Sequence, residues 1–512
     1  MSNKKIVMKQ IIKRGSFLTL MFMLLGCLSL YAADDDLNTK QITIKLEKAG
    51  TLPGRIGRIG SKYEITNLKI IGEINGTDLK MIREMAGSYY NYGKLSVLDL
   101  SEAKIVEGGD CYYDDYYTYN DVIGSHAFEN CYSLTSLTLP AGITEIGNKA
   151  FKRCWKLTSL TLPAGITSIG YGAFEDCWEL TSLTLPAGIT EIGSYAFDGC
   201  SGLTSLNLPA GITSIGSCAF NRCYGLTSLN LPAGITEIGD GTFKGCSGLT
   251  SLALPAGITS IGVRAFLGCS GLTSLNLPAG ITSIGEGTFK GCSGLTSLTL
   301  PAGITKIGDE AFSGCWRLTS LTLPAGITYI GYEAFHGSGL TSLTLPAGIT
   351  KIGSYAFLYC SGLTSLTLPA GITEIGDGTF KGCSGLTSLT LPAGITWIDD
   401  EAFRYCSGLT SIYVYAEKVP NICRSVFEGV DAKKCTLYVP MGTYDDYRLS
   451  DFRYYFKNIV EFDATGIDKT TTSTDVEEVT RYSVNGQRLS APTKGLNIVK
   501  YSDGSVKKVA VR

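Results

Sequence analysis

The stretch Leu134-Thr135-Ser136-Leu137-Thr138-Leu139-Pro140-Ala141-Gly142-Ile143-Thr144-Glu145-Ile146-Gly147-Asn148-Lys149-Ala150-Phe151-Lys152-Arg153-Cys154 recurs down the chain with small changes. Pro140, Pro163, Pro186, Pro209, Pro232, Pro255, Pro278, Pro301 and Pro324 are spaced by 23 residues. Pro346 follows after 22, and Pro369 and Pro392 resume the step of 23. Twelve of the 16 prolines therefore mark one position of a repeat. A fixed period in this range is the signature of a solenoid.

Within one unit, Leu137 and Leu139 share one face of an extended segment, and Ser136 and Thr138 share the other. That alternation predicts a half-buried strand. Pro140 ends it, because proline cannot donate to a ladder. Ala141-Gly142 turns the chain, and Ile143, Ile146 and Phe151 are expected to point inward. Gly147 is read as the residue that permits a tight corner. One coil cannot enclose a core, but stacked coils bury continuous columns of Leu, Ile and Phe. The unit at Phe335-His336-Gly337-Ser338-Gly339-Leu340 lacks one residue and the cysteine, which accounts for the step of 22.

Composition narrows the function classes. The 512 residues carry a formal net charge of -2, which leaves no large electrostatic footprint for nucleic acid. His126 and His336 are the only two histidines, so multi-histidine metal sites and histidine-based catalysis are disfavoured. Seventeen cysteines in an exported chain would ordinarily suggest disulfides. Here Cys131, Cys154, Cys177 and their successors to Cys406 are one repeat position. Stacked side chains run parallel, so the reading is a file of small buried hydrophobes. Cys423 and Cys435 lie outside that file and are the better disulfide candidates, while Cys218 is expected to expose its thiol. No Gly-x-Ser-x-Gly or phosphate-binding loop is present, and no cofactor is expected.

The segments Leu-x-x-Leu-x-Leu-Pro, Ile-x-x-Ile-Gly and Ala-Phe-x-x-Cys closely resemble the leucine-rich repeats of the BspA-like family of bacterial surface proteins. The resemblance implies a β-rich, right-handed solenoid with coils of 23 residues, capped at both ends. It also implies adhesion to host extracellular-matrix or plasma proteins, such as fibronectin or fibrinogen, or to other cell surfaces. The expected organisation is an export signal over 1–32, an N-terminal cap with a divergent first coil over 33–121, and the array over 122–415. A C-terminal cap over 416–462, a Thr-rich linker over 463–478 and a small β module over 479–512 follow.

The export signal rests on a basic start, an uncharged apolar run from Phe17 to Tyr31 and a small-residue exit at Ala32-Ala33. Leu24-Leu25-Gly26-Cys27 resembles a lipobox, so a lipid anchor on Cys27 is the alternative to cleavage after Ala32. Once the signal is removed, no membrane span is expected. In the terminal module, Asn485-Gly486 and Asp503-Gly504 sit between β-prone runs and signal hairpins. Tyr-Ser-Val-Asn-Gly-Gln-Arg-Leu and Lys494-Gly495-Leu496-Asn497-Ile498-Val499 resemble type IX secretion sorting tails, and that resemblance implies a protein exported from a Gram-negative cell, on its surface or secreted.

Two sets of residues are candidates for binding. Tyr112, Tyr113, Tyr116, Tyr117 and Tyr119 lie in a Tyr/Asp-rich stretch before the first regular coil and are read as a recognition loop. Tyr329, Tyr332, Tyr355 and Trp397 fall at variable positions late in the array and are read as an exposed aromatic strip. The expectation is a monomeric binding protein rather than an enzyme. A glycan-binding or glycan-degrading protein, with Asp114 or Asp115 as the acidic group, and a passive structural scaffold are the alternatives.

Overall fold

The computed structural model describes residues 40–57, 62–88 and 92–464, and then 478–483, 488–489, 491, 494–501 and 506–511. The expected export signal, Cys27 and most of the linker lie outside the described residues. The chain divides into two units, 1–461 and 462–512.

The first unit is a β-solenoid. Ser136–Thr138 pairs in parallel with Ser159–Thr161, each residue facing its counterpart 23 positions on. Glu145–Ile146 stacks with Ser168–Ile169, Glu191–Ile192 and Ser214–Ile215 in a second parallel ladder. A third side is held by hydrogen bonds that also step from coil to coil: Phe151 N donates to Ala173 O at 2.7 Å and Arg153 N to Glu175 O at 2.7 Å. Backbone groups outside the two ladders thus find partners too, as buried polar groups must.

The core is a set of columns. From Phe128 to Phe427 the phenylalanines form an unbroken file, with neighbouring ring centroids 5.2 to 5.7 Å apart and planes within 13° of parallel. Near-parallel rings at this spacing are offset, which suits their quadrupoles. The repeat geometry continues past residue 415: Asn421–Ile422 pairs with Trp397–Ile398, and Phe427 takes the phenylalanine position.

The cysteine file is buried, and from Cys154 onward each thiol has a second role. Cys154 Sγ donates to Phe128 O of the preceding coil at 3.1 Å, and the bond repeats through Cys406 Sγ to Phe380 O at 3.1 Å. The column therefore ties coils together as well as filling space. Cys423 and Cys435, the two disulfide candidates, are both free. Cys435 is buried, whereas Cys423 is half-buried with its thiol 3.6 Å from Asp399 Oδ1. Cys218 is half-buried too.

Glycine has two distinct uses. Gly147 is not left-handed. A Cβ there would lie 2.6 Å from Ser125 N, so close stacking on the preceding coil excludes a side chain. The left-handed positions lie instead two residues before and two after each phenylalanine from Phe128 to Phe403, as at Gly241 (φ 58°) and Gly245 (φ 74°) around Phe243.

Three parallel strands open the solenoid, β1 (Ile42–Lys45), β2 (Asn67–Ile74) and β3 (Val97–Ile105), and β3 pairs onward with Ser136–Thr138. A helix, α1 (Gly76–Met85), follows β2. Asn75 caps it by accepting from Thr77 N at 3.1 Å. The buried Asp78 carboxylate accepts from Gly50 N at 2.6 Å, Leu52 N at 2.9 Å and Asn75 N at 3.0 Å, which pins the preceding loop to the helix start. At the other end, Thr436–Pro440 and Asn458–Phe462 finish a five-stranded sheet that starts at Ser365–Thr367. The helix Tyr444–Leu449 carries Tyr447, whose hydroxyl donates to Ala416 O at 2.6 Å.

The second unit is a four-stranded antiparallel sheet in the order Arg488–Leu489, Glu478–Ser483, Gly495–Tyr501, Val506–Val511. Arg481 Nη1 donates to the buried Asn497 Oδ1 at 3.1 Å. The Asn485-Gly486 and Asp503-Gly504 turns lie outside the described residues.

Candidate interaction surfaces

The expected recognition loop is a β-hairpin, β4 (Gly108–Tyr113) with β5 (Tyr116–Thr118), joined by a turn at Asp114 (φ 42°). Tyr112 is not a recognition residue. It is only 3% exposed, and its hydroxyl donates to Ser125 O at 2.7 Å. Burial pushes its phenol pKa up. Strand alternation explains the correction: consecutive residues face opposite ways, so one of the Tyr112-Tyr113 pair must turn inward.

Tyr113 is half-buried and locked in place. Its ring stacks on His126 with centroids 4.8 Å apart and planes 4° from parallel, and the buried Arg83 guanidinium lies 4.8 Å from its centroid. Such a desolvated cation–π contact is worth about 2 kcal/mol. Tyr116, Tyr117 and Tyr119 are exposed. Tyr116 leans on His126 at 4.8 Å, while Tyr116, Tyr117 and Tyr119 together line a shallow groove with Glu145. Asp114 and Asp115 stand exposed beside the hairpin turn.

In the late array the structure brings three of the four aromatics together, but Tyr329 and Tyr355 are half-buried rather than exposed, because each leans on its neighbours in the stack. Tyr329 lies in register between Lys306 and Lys351, with the Lys306 ammonium 5.1 Å from its ring centroid. Tyr332 is 42% exposed and meets Tyr355 edge to face at 5.9 Å. Tyr332 N donates to Asp309 Oδ1 at 2.9 Å, Tyr329 Oη to the same oxygen at 3.4 Å, and Tyr355 Oη to Asp377 Oδ2. The Tyr355 hydrogen bond to Asp377 raises its phenol pKa, because the neutral hydroxyl is the donor. Trp397 is not part of this cluster. It pairs in register with Glu374 and lines a separate groove of about 370 Å³ with Lys351 and Asp399.

Sequence reasoning missed another aromatic file. Tyr132, Trp155 and Trp178 each follow a column cysteine; Tyr132 meets Trp155 tilted by 33° at 4.3 Å, and Trp155 stacks on Trp178 at 4.9 Å. The signal was legible, since all three occupy the same repeat position. The other loop histidine, His336, is half-buried beside Glu333, with Nδ1 3.4 Å from Oε2. Among the described residues, no three His, Cys, Asp or Glu side chains converge as metal ligands, and no helix is long and apolar enough to cross a membrane.

Comparison with solved structures returns a leucine-rich repeat protein from Bacteroides ovatus at 26% identity and a TM-score of 0.51, covering 70% of this chain and 90% of that one. A leucine-rich cell surface protein from Faecalibacterium prausnitzii is also 26% identical, covering 69% of this chain and 86% of that one with a TM-score of 0.40. A leucine-rich repeat protein of T. pallidum is 30% identical over 36% of this chain and 78% of that one, with a TM-score of 0.27. No curated protein sequence matches. The model of the BspA type leucine-rich repeat region matches in six copies, over residues 121–250, 217–341 and 328–448. These matches span more than half of the chain and take in the array of stacked coils described above: the chain belongs to the BspA-type leucine-rich repeat proteins.

Proposed function

We propose that the protein is an exported, cell-surface binding protein of adhesin type, with no catalytic role. The rigid solenoid presents exposed aromatic and charged groups to host matrix or plasma proteins or to other cells. The observation that carries this reading is the Tyr329–Tyr332–Tyr355 cluster. The Tyr329 and Tyr355 hydroxyls and the Tyr332 backbone are held by Asp309 and Asp377, while the Tyr332 ring stays open. Aromatic anchors held by a scaffold lose little entropy on binding, which suits them to be the energetic centre of an interface.

The test is binding of the mature protein to immobilised fibronectin, fibrinogen and other matrix proteins by biolayer interferometry. Micromolar binding is expected, weakened about tenfold or more by Tyr332→Ala with Tyr355→Ala. Absence of binding to any matrix protein overturns the adhesin reading. Glycan hydrolysis that depends on Asp114 or Asp115 overturns the non-enzymatic one.

A further inference from the structure

The file Tyr132–Trp155–Trp178 has a missing rung. Register along this edge is fixed by the backbone: Glu179 N donates to Trp155 O at 3.1 Å, Gly202 N to Trp178 O at 2.9 Å and Gly225 N to Ser201 O at 3.0 Å. Trp155, Trp178, Ser201 and Tyr224 therefore occupy successive rungs. Ser201 supplies no ring, so the outer face of Trp178 and the ring of Tyr224 flank an interval one coil wide. Both are open, at 47% and 51% exposure.

We propose that this interval binds one pyranose ring of a glycan. Thickness is the first argument. The filled rungs stand 4.3 and 4.9 Å apart. A ring seated over Ser201 would thus lie about 5 Å from both neighbours, within the range for stacked rings.

Polarity is the second argument. A pyranose carries C–H groups on its faces and hydroxyls around its edge, so it needs apolar walls and a polar rim. The rim is present. Tyr224 N donates to Arg222 O at 2.9 Å in a tight turn, which keeps Arg222 beside the slot. Arg222 Nη2 reaches Asp176 Oδ1, two coils away, at 3.5 Å. Arg222 Nε donates to Asp198 Oδ1 at 3.1 Å, and Asn221 Nδ2 donates to that same buried oxygen at 2.8 Å. Gly199 makes the Asp176–Arg222 span feasible, because a Cβ there would lie 2.4 Å from Asp176 Oδ1. A partner's aromatic side chain would use the walls and leave this rim of guanidinium and carboxylate idle. The site is separate from the Tyr329–Tyr332–Tyr355 cluster, so each can fail without the other.

The mature full-length protein is titrated with the methyl glycosides of glucose, galactose, mannose and N-acetylglucosamine, read by tryptophan fluorescence, and is applied to a printed oligosaccharide array. Saccharide binding is expected, with a loss of about tenfold or more in Ser201→Trp, which fills the rung, and in Tyr224→Ala, which leaves the Trp155–Trp178 stack intact. Trp316→Ala serves as the control and is expected to bind as the parent does. An unchanged thermal melt verifies folding of each variant. The proposal is overturned if no saccharide binds, or if binding persists in Ser201→Trp. It is equally overturned if N-acetyltryptophanamide occupies the slot and saccharides do not.

Discussion

Phe266→Ala tests the nearest-neighbour character of the solenoid. Phe266 is fully buried and stacks on Phe243 at 5.5 Å and on Phe289 at 5.6 Å. An aromatic side chain buries about 150–250 Å², which at ~25 cal/mol per Å² corresponds to about 4–6 kcal/mol. After deduction of what alanine still buries, the cost agrees with the ~3–5 kcal/mol typical of Phe→Ala in a packed core. In a solenoid the core of each coil packs on its two neighbours, so this loss falls on two interfaces rather than on the whole array. Hydrogen exchange followed by mass spectrometry reads the distribution. Peptides carrying Phe243, Phe266 and Phe289 are expected to lose protection, while those around Phe128 and Phe403 keep theirs. Equal loss of protection from Phe128 to Phe403 would refute the nearest-neighbour account. A total destabilisation below ~1 kcal/mol would refute the packed phenylalanine file.

Burial pushes the Cys131 and Cys360 thiols up to about 11, and Cys269, Cys315 and Cys406 up to about 12, from an ordinary value of 9.0. Unfolded thiols therefore ionise first, and the stability these groups contribute is complete below pH ~9 and lost as pH rises through 11 to 12. The urea midpoint is expected to hold steady from pH 7 to 8 and to fall above 9, with a shallower fall in Cys269→Ala/Cys315→Ala; a midpoint constant to pH 10.5 would contradict the burial of protonated thiols. Gly268 has φ 73°, and a Cβ there would meet only ordinary contacts at 3.7 Å. Gly268→Ala is therefore expected to cost about 1–2 kcal/mol of backbone strain, and Gly268→Asn less, since asparagine tolerates this region. Urea denaturation that ranks alanine above glycine would be the contrary result.

The solenoid was legible because one period fixes both the strand alternation and the stacking. Pro140 and its successors mark strand ends, and Leu137, Ile146 and Phe151 recur where columns require them. Contacts between coils were less legible. The thiol of Cys154 looks like a small hydrophobe in one dimension, and its bond to Phe128 O appears only once two coils are stacked. Gly147 has an ordinary conformation and is glycine because of its neighbour, which the local sequence does not reveal. Tyr112 misled because a Tyr/Asp-rich stretch looks like solvent-facing loop, although hairpin alternation turns it inward. The vacant rung at Ser201 required comparing the same position across coils and noting where an aromatic series stops.

The phenylalanine file has one more consequence. Its repeat step is so regular that the upper face of almost every coil fits the lower face of almost any other. Inserting or deleting one whole unit of 23 residues leaves the leucine, isoleucine and phenylalanine columns continuous. It moves the two caps apart, or together, by about 4.8 Å. The distance between the ends of the array is thus a quantity that copying a gene segment can adjust in fixed increments, without disturbing the packing on which the fold depends.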